Sequence, residues 1–293
     1  MTTEQQDPIK AVPVRRPGRW IGGVVIALIA IGVIYSIVTN RNFEWPTVWR
    51  YLFDFRILTG LRNTLVLTVL SMVIGVVGGI ILAIMRLSRS PLVSGAAAVY
   101  IWFFRGTPLI TQLIFWNFFS LLYPRIGWGT FSVDTNTLIA PFVAALLGLG
   151  LNEAAYMAEI VRGGISSVDE GQREAASALG MRQGKTLRRI VLPQAMRVIL
   201  PPTGNETIAM LKTTSLVVVI GYFELMTAAQ QIYADNLKQI PLLIAAAIWY
   251  LLLTSILSIF QSRIEKRYSR GVSGIATQPG FAERMFSFRK AAR

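Results

Sequence analysis

The chain has 293 residues, 53% of them hydrophobic and only 15% charged, with mean hydropathy +0.52; a soluble domain of this size is less apolar, so the composition is that of an integral membrane protein. Cysteine and histidine are absent, which excludes disulfides, thiol nucleophiles, histidine bases and Cys/His zinc sites, and most redox and hydrolytic chemistry with them. A net charge of +14 would suit nucleic acid if it were gathered on one domain, but it is spread along the chain and reads instead as membrane topology, with no nucleic-acid partner.

In chain order, residues 1–19 are rich in Pro and Arg and read as a flexible tail. A span needs about 20 predominantly apolar residues. The charge-free window 20–40, between Arg19 and Arg41, predicts the first, and with no small-residue cleavage site after it the helix is retained as an anchor rather than processed as a signal peptide. Residues 45–55 carry Trp45, Trp49, Leu52 and Phe53 at roughly helical spacing. That pattern fits an amphipathic helix on the outer membrane surface or an external loop with scattered aromatics. Windows 63–85 and 106–124 predict the second and third spans. Gly75 and Gly79 form a small-xxx-small pair in the second and predict close helix packing. A fourth window, 135–152, continues into a helical tail with Glu153, Glu159 and Arg162.

A polar island follows. Residues 170–179 are Ala-rich and predict a helix, with Ser167 and Glu170 as a capping box and Gly180 as the turn that ends it. Residues 183–190 predict a second short helix carrying Lys185, Arg188 and Arg189, up to Pro193, which suits the first turn of a new helix. Such an island inside an apolar chain is placed to touch something outside the membrane. Gly180 to Thr186 looks like a phosphate-binding loop, but three residues rather than four separate its glycines. A helix rather than a strand precedes it, so the nucleotide-site reading is rejected.

Residues 202–225 are apolar enough for a fifth span yet carry Glu206, Lys212 and Glu224, and 239–262 is the cleanest window of all. The reading is an all-α polytopic bundle of about six transmembrane helices, followed by a tail at 263–293. With the N-terminus in the cytoplasm, 22 of the 29 Lys and Arg fall inside and 6 outside. The bias places both termini and the island in the cytoplasm.

Ionisable groups within a span cost about 2.5–3.5 kcal/mol each at mid-bilayer on insertion scales. Glu206 and Lys212, six residues apart, lie about 120° apart around a helix and cannot form an i,i+4 bridge. Each must find another helix, another subunit, water or a zwitterionic substrate. Lining of a substrate pathway and a buried ion pair or snorkelling lysine both remain open. Asn205, Thr207, Thr213, Thr214 and Ser215 surround them with uncharged hydrogen-bonding groups, which serve either a desolvated amino acid or helix–helix contacts.

Several of these segments carry a resemblance. Glu174-Ala175-Ala176, Gly180 and the later Ile190-Val191-Leu192-Pro193 resemble the EAA loop of ABC importer permeases. Phe104-Arg105-Gly106-Thr107-Pro108-Leu109 with Gln112, Glu159 to Ile165, Asn205 to Ile208 and Leu211 to Leu216 are similar to the branch that imports polar amino acids. The resemblance implies a five-helix core within 60–262, an extra N-terminal helix at 20–40, and a cytoplasmic coupling loop at 166–195. It implies that Glu174, Ala175, Ala176, Gly180, Lys185, Arg188, Arg189 and Pro193 couple to the ATPase, and that Asn205, Glu206, Lys212, Thr214 and Ser215 line the pathway. It implies no enzymatic activity and no cofactor or metal in this chain, with ATP and Mg bound by partner ATPase subunits. The other implied partners are a second permease subunit, identical or homologous, an extracytoplasmic substrate-binding protein, an amino acid substrate and membrane lipid, in a bacterial inner membrane. Two other classes compete. An ion-coupled secondary transporter would use midplane carboxylates such as Glu206 but leaves the island without a role, and a membrane enzyme would need clustered acid–base groups.

Overall fold

A computed structural model of the chain describes residues 17–268; the tails read at 1–19 and 263–293 lie mostly outside the described residues. Two units are distinct, divided between Pro46 and Thr47. In the first, helix α1 (Pro17–Thr39) is apolar from Ile21 onward and long enough to cross a membrane.

The second unit is a helical bundle. Helix α2 (Trp45–Leu52) buries Val48 and Leu52 and leaves Trp49 exposed, so residues 45–52 are helical and the chain turns at Phe53 and Asp54 before the next helix. Trp249 Nε1 donates to the Leu52 carbonyl at 2.8 Å and ties α2 to the bundle. Helix α3 (Phe55–Arg86) has 32 residues and starts at an Asp54 cap, eight residues before the charge-free window. At 1.5 Å per residue it is about 48 Å long, more than the hydrocarbon core requires.

The third crossing departs from its window. Helix α4 (Pro91–Gly106) and helix α5 (Leu109–Asn117) meet at a bend of 100°, so helix begins well before 106 and stops short of 124. Pro108 is the cause: it holds Thr107 extended, at ψ 142°, and having no N–H it frees the carbonyl of Phe104. Gln112 Nε2 and Asn152 Nδ2 donate to that carbonyl at 3.0 and 2.8 Å. A two-residue hairpin, β1 (Arg125–Ile126) with β2 (Val133–Asp134), and the helical turn α6 (Thr135–Leu138) follow.

Helix α7 (Pro141–Ser166) starts at a proline and runs unbroken past Glu153, Glu159 and Arg162. The helix thus starts six residues into the fourth window and continues through the charged stretch that the sequence reads as its helical tail, with Glu153 buried in the fold. Glu159 and Arg162 form an ion pair at 2.7 Å one turn apart. Gly75 and Gly79 let α3 lie against α7: a Cβ on Gly75 would stand 2.8 Å from Glu153 Cβ, and one on Gly79 would stand 2.9 Å from the Ala158 nitrogen. The close packing expected of this pair is what the structure has.

After α7 comes helix α8 (Glu170–Ala178), then α9 (Gln183–Thr186), a π-helical turn (Leu187–Val191) and α10 (Leu192–Thr213). Pro193 sits in a helix that continues through it, and the wide turn just before fits the hydrogen bond to the Arg189 carbonyl that proline cannot make. A 3₁₀ stretch (Thr214–Ile220) follows, and Gly221 turns the chain at φ +73°. The fifth window thus combines the end of α10, the 3₁₀ stretch and the turn into helix α11 (Leu225–Asn236). Helix α12 (Gln239–Tyr268) closes the bundle.

Four described helices are long and apolar enough to cross a membrane, and six crossings result when each of two bent pairs counts as one. Leu67, Leu113, Leu149, Met210 and Val217 meet in a core shared by α3, α5, α7, α10 and the 3₁₀ stretch. That core fixes where the polar groups of α7 and α10 face each other.

Candidate functional site

The bend after α4 positions one wall of a cavity. Leu109 opens α5, and Asn152 of α7, held to the Phe104 carbonyl and to Gln112 Oε1 at 3.3 Å, stands beside Glu153. Together with Tyr156, Glu206, Ala209, Met210 and Thr213 they line a cavity of about 230 Å³. Glu153 is 4% exposed, and its Oε1 is buried without a hydrogen-bond partner. Glu206 reaches the same space from α10. Two carboxylates therefore share one small cavity whose lining holds no Lys or Arg. Such a site attracts a cation, since an unpartnered buried carboxylate oxygen needs a donor and two like charges need a counter-charge. Arg105, at the end of α4, stacks over the Tyr156 ring at 5.2 Å and brings one cation to the neighbourhood of the lining.

The structure separates the polar residues that the sequence grouped together. Glu206 lines the carboxylate cavity, whereas Lys212 lines another, of about 370 Å³, with Ser215, Ala247, Tyr250, Leu251 and Thr254. Neither makes an ion pair among the described residues, so no buried Glu206–Lys212 pair exists. Asn205 is exposed and lines neither cavity. Thr214 is fully buried, and its hydroxyl donates to the Leu211 carbonyl at 2.7 Å, so it packs rather than lines a pathway. The hydroxyls of Thr207, Thr213 and Ser215 likewise bond back to carbonyls of their own helix. Their polarity is satisfied locally and bridges no helices.

Glu153, Asn152 and Tyr156 line the cavity without standing out in the sequence, where Glu153 falls in the helical tail beyond the fourth window. A signal was present: Asn152 and Glu153 follow an apolar run closely, and an ionisable residue at a span is a site candidate by default. Glu224 is the other buried carboxylate, fully enclosed. It caps α11, accepting from the Met226 and Thr227 nitrogens at 2.9 and 2.8 Å, and it also accepts from Tyr250 Oη at 2.9 Å and Thr64 Oγ1 at 3.3 Å. With these four donors, it is a satisfied structural node.

The island is a well-formed surface feature. Asp169, not Ser167, caps α8, accepting from the Gly171 nitrogen at 2.7 Å; the Ser167 hydroxyl donates instead to Gly164. At the other end, Gly180 at φ +71° closes the helix. Its N–H reaches Ser177 and that of Met181 reaches Ala176, the paired bonds of a Schellman motif. Arg173 Nη2 donates to the Ile165 carbonyl at 2.7 Å and pins the island to the end of α7. Glu174, Ala175, Lys185, Arg188, Arg189 and Pro193 are exposed, as is Leu179 at 81%. Ala176 is 1% exposed, so it holds α8 in place and offers no contact surface. Leu179 is an exposed apolar side chain that precedes the basic residues of α9 and the π turn in the chain.

The family described as "Binding-protein-dependent transport system inner membrane component" matches residues 75–270. The arginine transport system permease protein ArgU of Corynebacterium glutamicum is 50% identical over 272 residues, 92% of this chain and 86% of that protein. The glutamine transport system permease protein GlnP of Escherichia coli (strain K12) is 35% identical over 226 residues, 77% of this chain and 98% of its own length. Among solved structures, an amino acid ABC transporter crystallised with histidines matches 72% of this chain and 94% of its own, at 37% identity and TM-score 0.63. A methionine ABC transporter, MetNI, shares the fold at TM-score 0.59 with 17% identity, over 74% of this chain and 98% of its own.

Proposed function

The chain belongs to the family of binding-protein-dependent transport system inner membrane components as the transmembrane permease subunit of an ABC importer, and from that premise we propose that it carries polar amino acids, cationic ones foremost, through the Glu153–Glu206 cavity. The observation that carries the substrate reading is the pair of carboxylates in one cavity without a lining cation. An ammonium or guanidinium donates to Glu153 Oε1 and Glu206, and a substrate carboxylate faces toward Arg105. The 50% identity to a permease named for arginine transport supports the same class.

In this reading the island at 166–195 lies in the cytoplasm with both termini and docks Leu179, Glu174, Lys185, Arg188 and Arg189 into an ATPase subunit, which binds ATP and Mg. No cofactor or metal belongs to this chain. A second permease subunit completes the pathway, and an extracytoplasmic binding protein delivers the substrate to the far side of a bacterial inner membrane. The test is uptake into proteoliposomes holding the chain with its ATPase and binding protein. ATP-driven uptake of arginine is expected, with Glu206→Gln and Glu153→Gln each lowering it at least about tenfold while the ATPase still copurifies. One charge-assisted hydrogen bond of about 1.5–3 kcal/mol accounts for a loss of that size. Uptake that follows an ion gradient without ATP, or arginine uptake unchanged in both variants, overturns the reading.

A further inference from the structure

At the end of α12, Leu200 of α10 and Arg263, Ile264, Arg267 and Tyr268 of α12 line an open cavity of about 410 Å³. Arg263 and Arg267 lie one turn apart on one face and are both exposed. Among the described residues neither pairs with a carboxylate. The acid between them in sequence, Glu265, accepts from Gln261 Nε2 at 3.0 Å. Gln261 in turn donates to the Pro201 carbonyl at 2.7 Å and so fixes this end of α12 against α10.

The same face continues back along the helix as an apolar stripe. Leu252, Ile256, Ile259 and Phe260 are all exposed, at steps of three and four residues that bring them onto one side. Arg263 and Arg267 extend those steps, and the Arg263 guanidinium lies 5.9 Å from the Phe260 ring. From Leu252 to Phe260 the stripe runs about 12 Å, most of the depth of one leaflet's hydrocarbon; it is interrupted on that face by the exposed Ser255 and ends in two guanidiniums and a tyrosine. That is the order of chemistries an acidic phospholipid presents along its length: acyl chain, glycerol, phosphate.

We propose that this cavity is a binding site for the phosphate headgroup of an anionic phospholipid, its acyl chain lying along the exposed stripe of α12. Arg263 and Arg267 hold the phosphate oxygens as paired forks, Tyr268 donates at the headgroup level, and Leu200 and Ile264 floor the pocket. The inference rests on the chain's being membrane-embedded and is independent of the amino acid carried by the Glu153–Glu206 cavity.

The test uses the full chain, delipidated in detergent and titrated with phosphatidylglycerol or phosphatidylcholine while bound lipid is counted by native mass spectrometry. Wild type is expected to bind phosphatidylglycerol saturably and at least tenfold more tightly than phosphatidylcholine. With about fivefold per basic residue, Arg263→Gln/Arg267→Gln should bring phosphatidylglycerol binding down to the phosphatidylcholine level. Arg267→Gln alone, in the exposed last turn, should lose about fivefold and covers the case in which the double variant fails to insert. Millimolar inorganic phosphate should not displace the lipid. Equal binding of the two lipids, or undiminished phosphatidylglycerol binding in Arg267→Gln, overturns the proposal. Displacement by phosphate alone makes it a free-anion site, and loss of ATPase copurification with lipid binding intact makes it a protein contact; either outcome overturns the lipid assignment.

Discussion

Removing the Glu224 carboxylate should destabilise the bundle, because it is a fully buried junction of three helices. Its oxygens close the start of α11 through two backbone N–H groups and join that helix to α12 through Tyr250 and to α3 through Thr64. Glu224→Ala removes the cap, worth about 1 kcal/mol. It also removes the acceptor of the half-buried Tyr250 hydroxyl, for about 1–3 kcal/mol more. The expected loss of about 2–4 kcal/mol corresponds to a melting midpoint lowered by about 3–7 °C for a chain of this size. Glu224→Gln keeps one acceptor oxygen for the helix start and should lose about 1 kcal/mol. Scanning fluorimetry of the detergent-solubilised chain reads these shifts, and Tyr250→Phe combined with Glu224→Ala should fall short of the sum of the two single losses by 0.5 kcal/mol or more, because the two groups share one bond. A midpoint for Glu224→Ala within a degree of wild type, or full additivity with Tyr250→Phe, refutes the assignment of Glu224 as a structural node.

Gly180 takes φ +71° with open space where a Cβ would stand, so Gly180→Asn, a residue tolerant of that conformation, should cost less than about 1 kcal/mol of stability. It should nevertheless impair ATPase docking, measured by copurification, because its side chain projects beside Leu179; wild-type docking and transport in this variant would remove the island from the interface. For topology, the absence of cysteine gives a silent background, and a single cysteine at position 125 should react with an impermeant maleimide in intact cells while one at 188 should not. The reverse pattern shows the orientation inverted. Gln112→Leu removes the donor to the Phe104 carbonyl and to Thr107, so it should cost about 1–3 kcal/mol and reduce uptake by displacing Leu109 and Asn152 from the cavity wall. Uptake and melting both unchanged would show that Asn152 holds the bend alone.

The membrane class, the approximate count of crossings and the boundaries of the island all follow from the sequence, since each depends on local chemistry: long charge-free runs, an Ala-rich segment, a glycine where the chain must turn left-handed. The EAA pattern and the basic residues after Gly180 are legible for the same reason, being contiguous in the chain and, Ala176 apart, exposed. Tertiary structure decided what depends on partners distant in the chain. Glu153 and Glu206 are separated by two helices and a loop, and only the packing of α7 against α3 and α10 puts them in one cavity. Hydropathy treats both as interruptions. The same limit explains Glu224, whose four donors come from α3, α11 and α12, and the parting of Lys212 from Glu206, which a continuous α10 turns toward different neighbours. A residue's cost in the membrane can be read from its type, but what offsets that cost is a contact, and contacts between distant segments exist only once the bundle has formed.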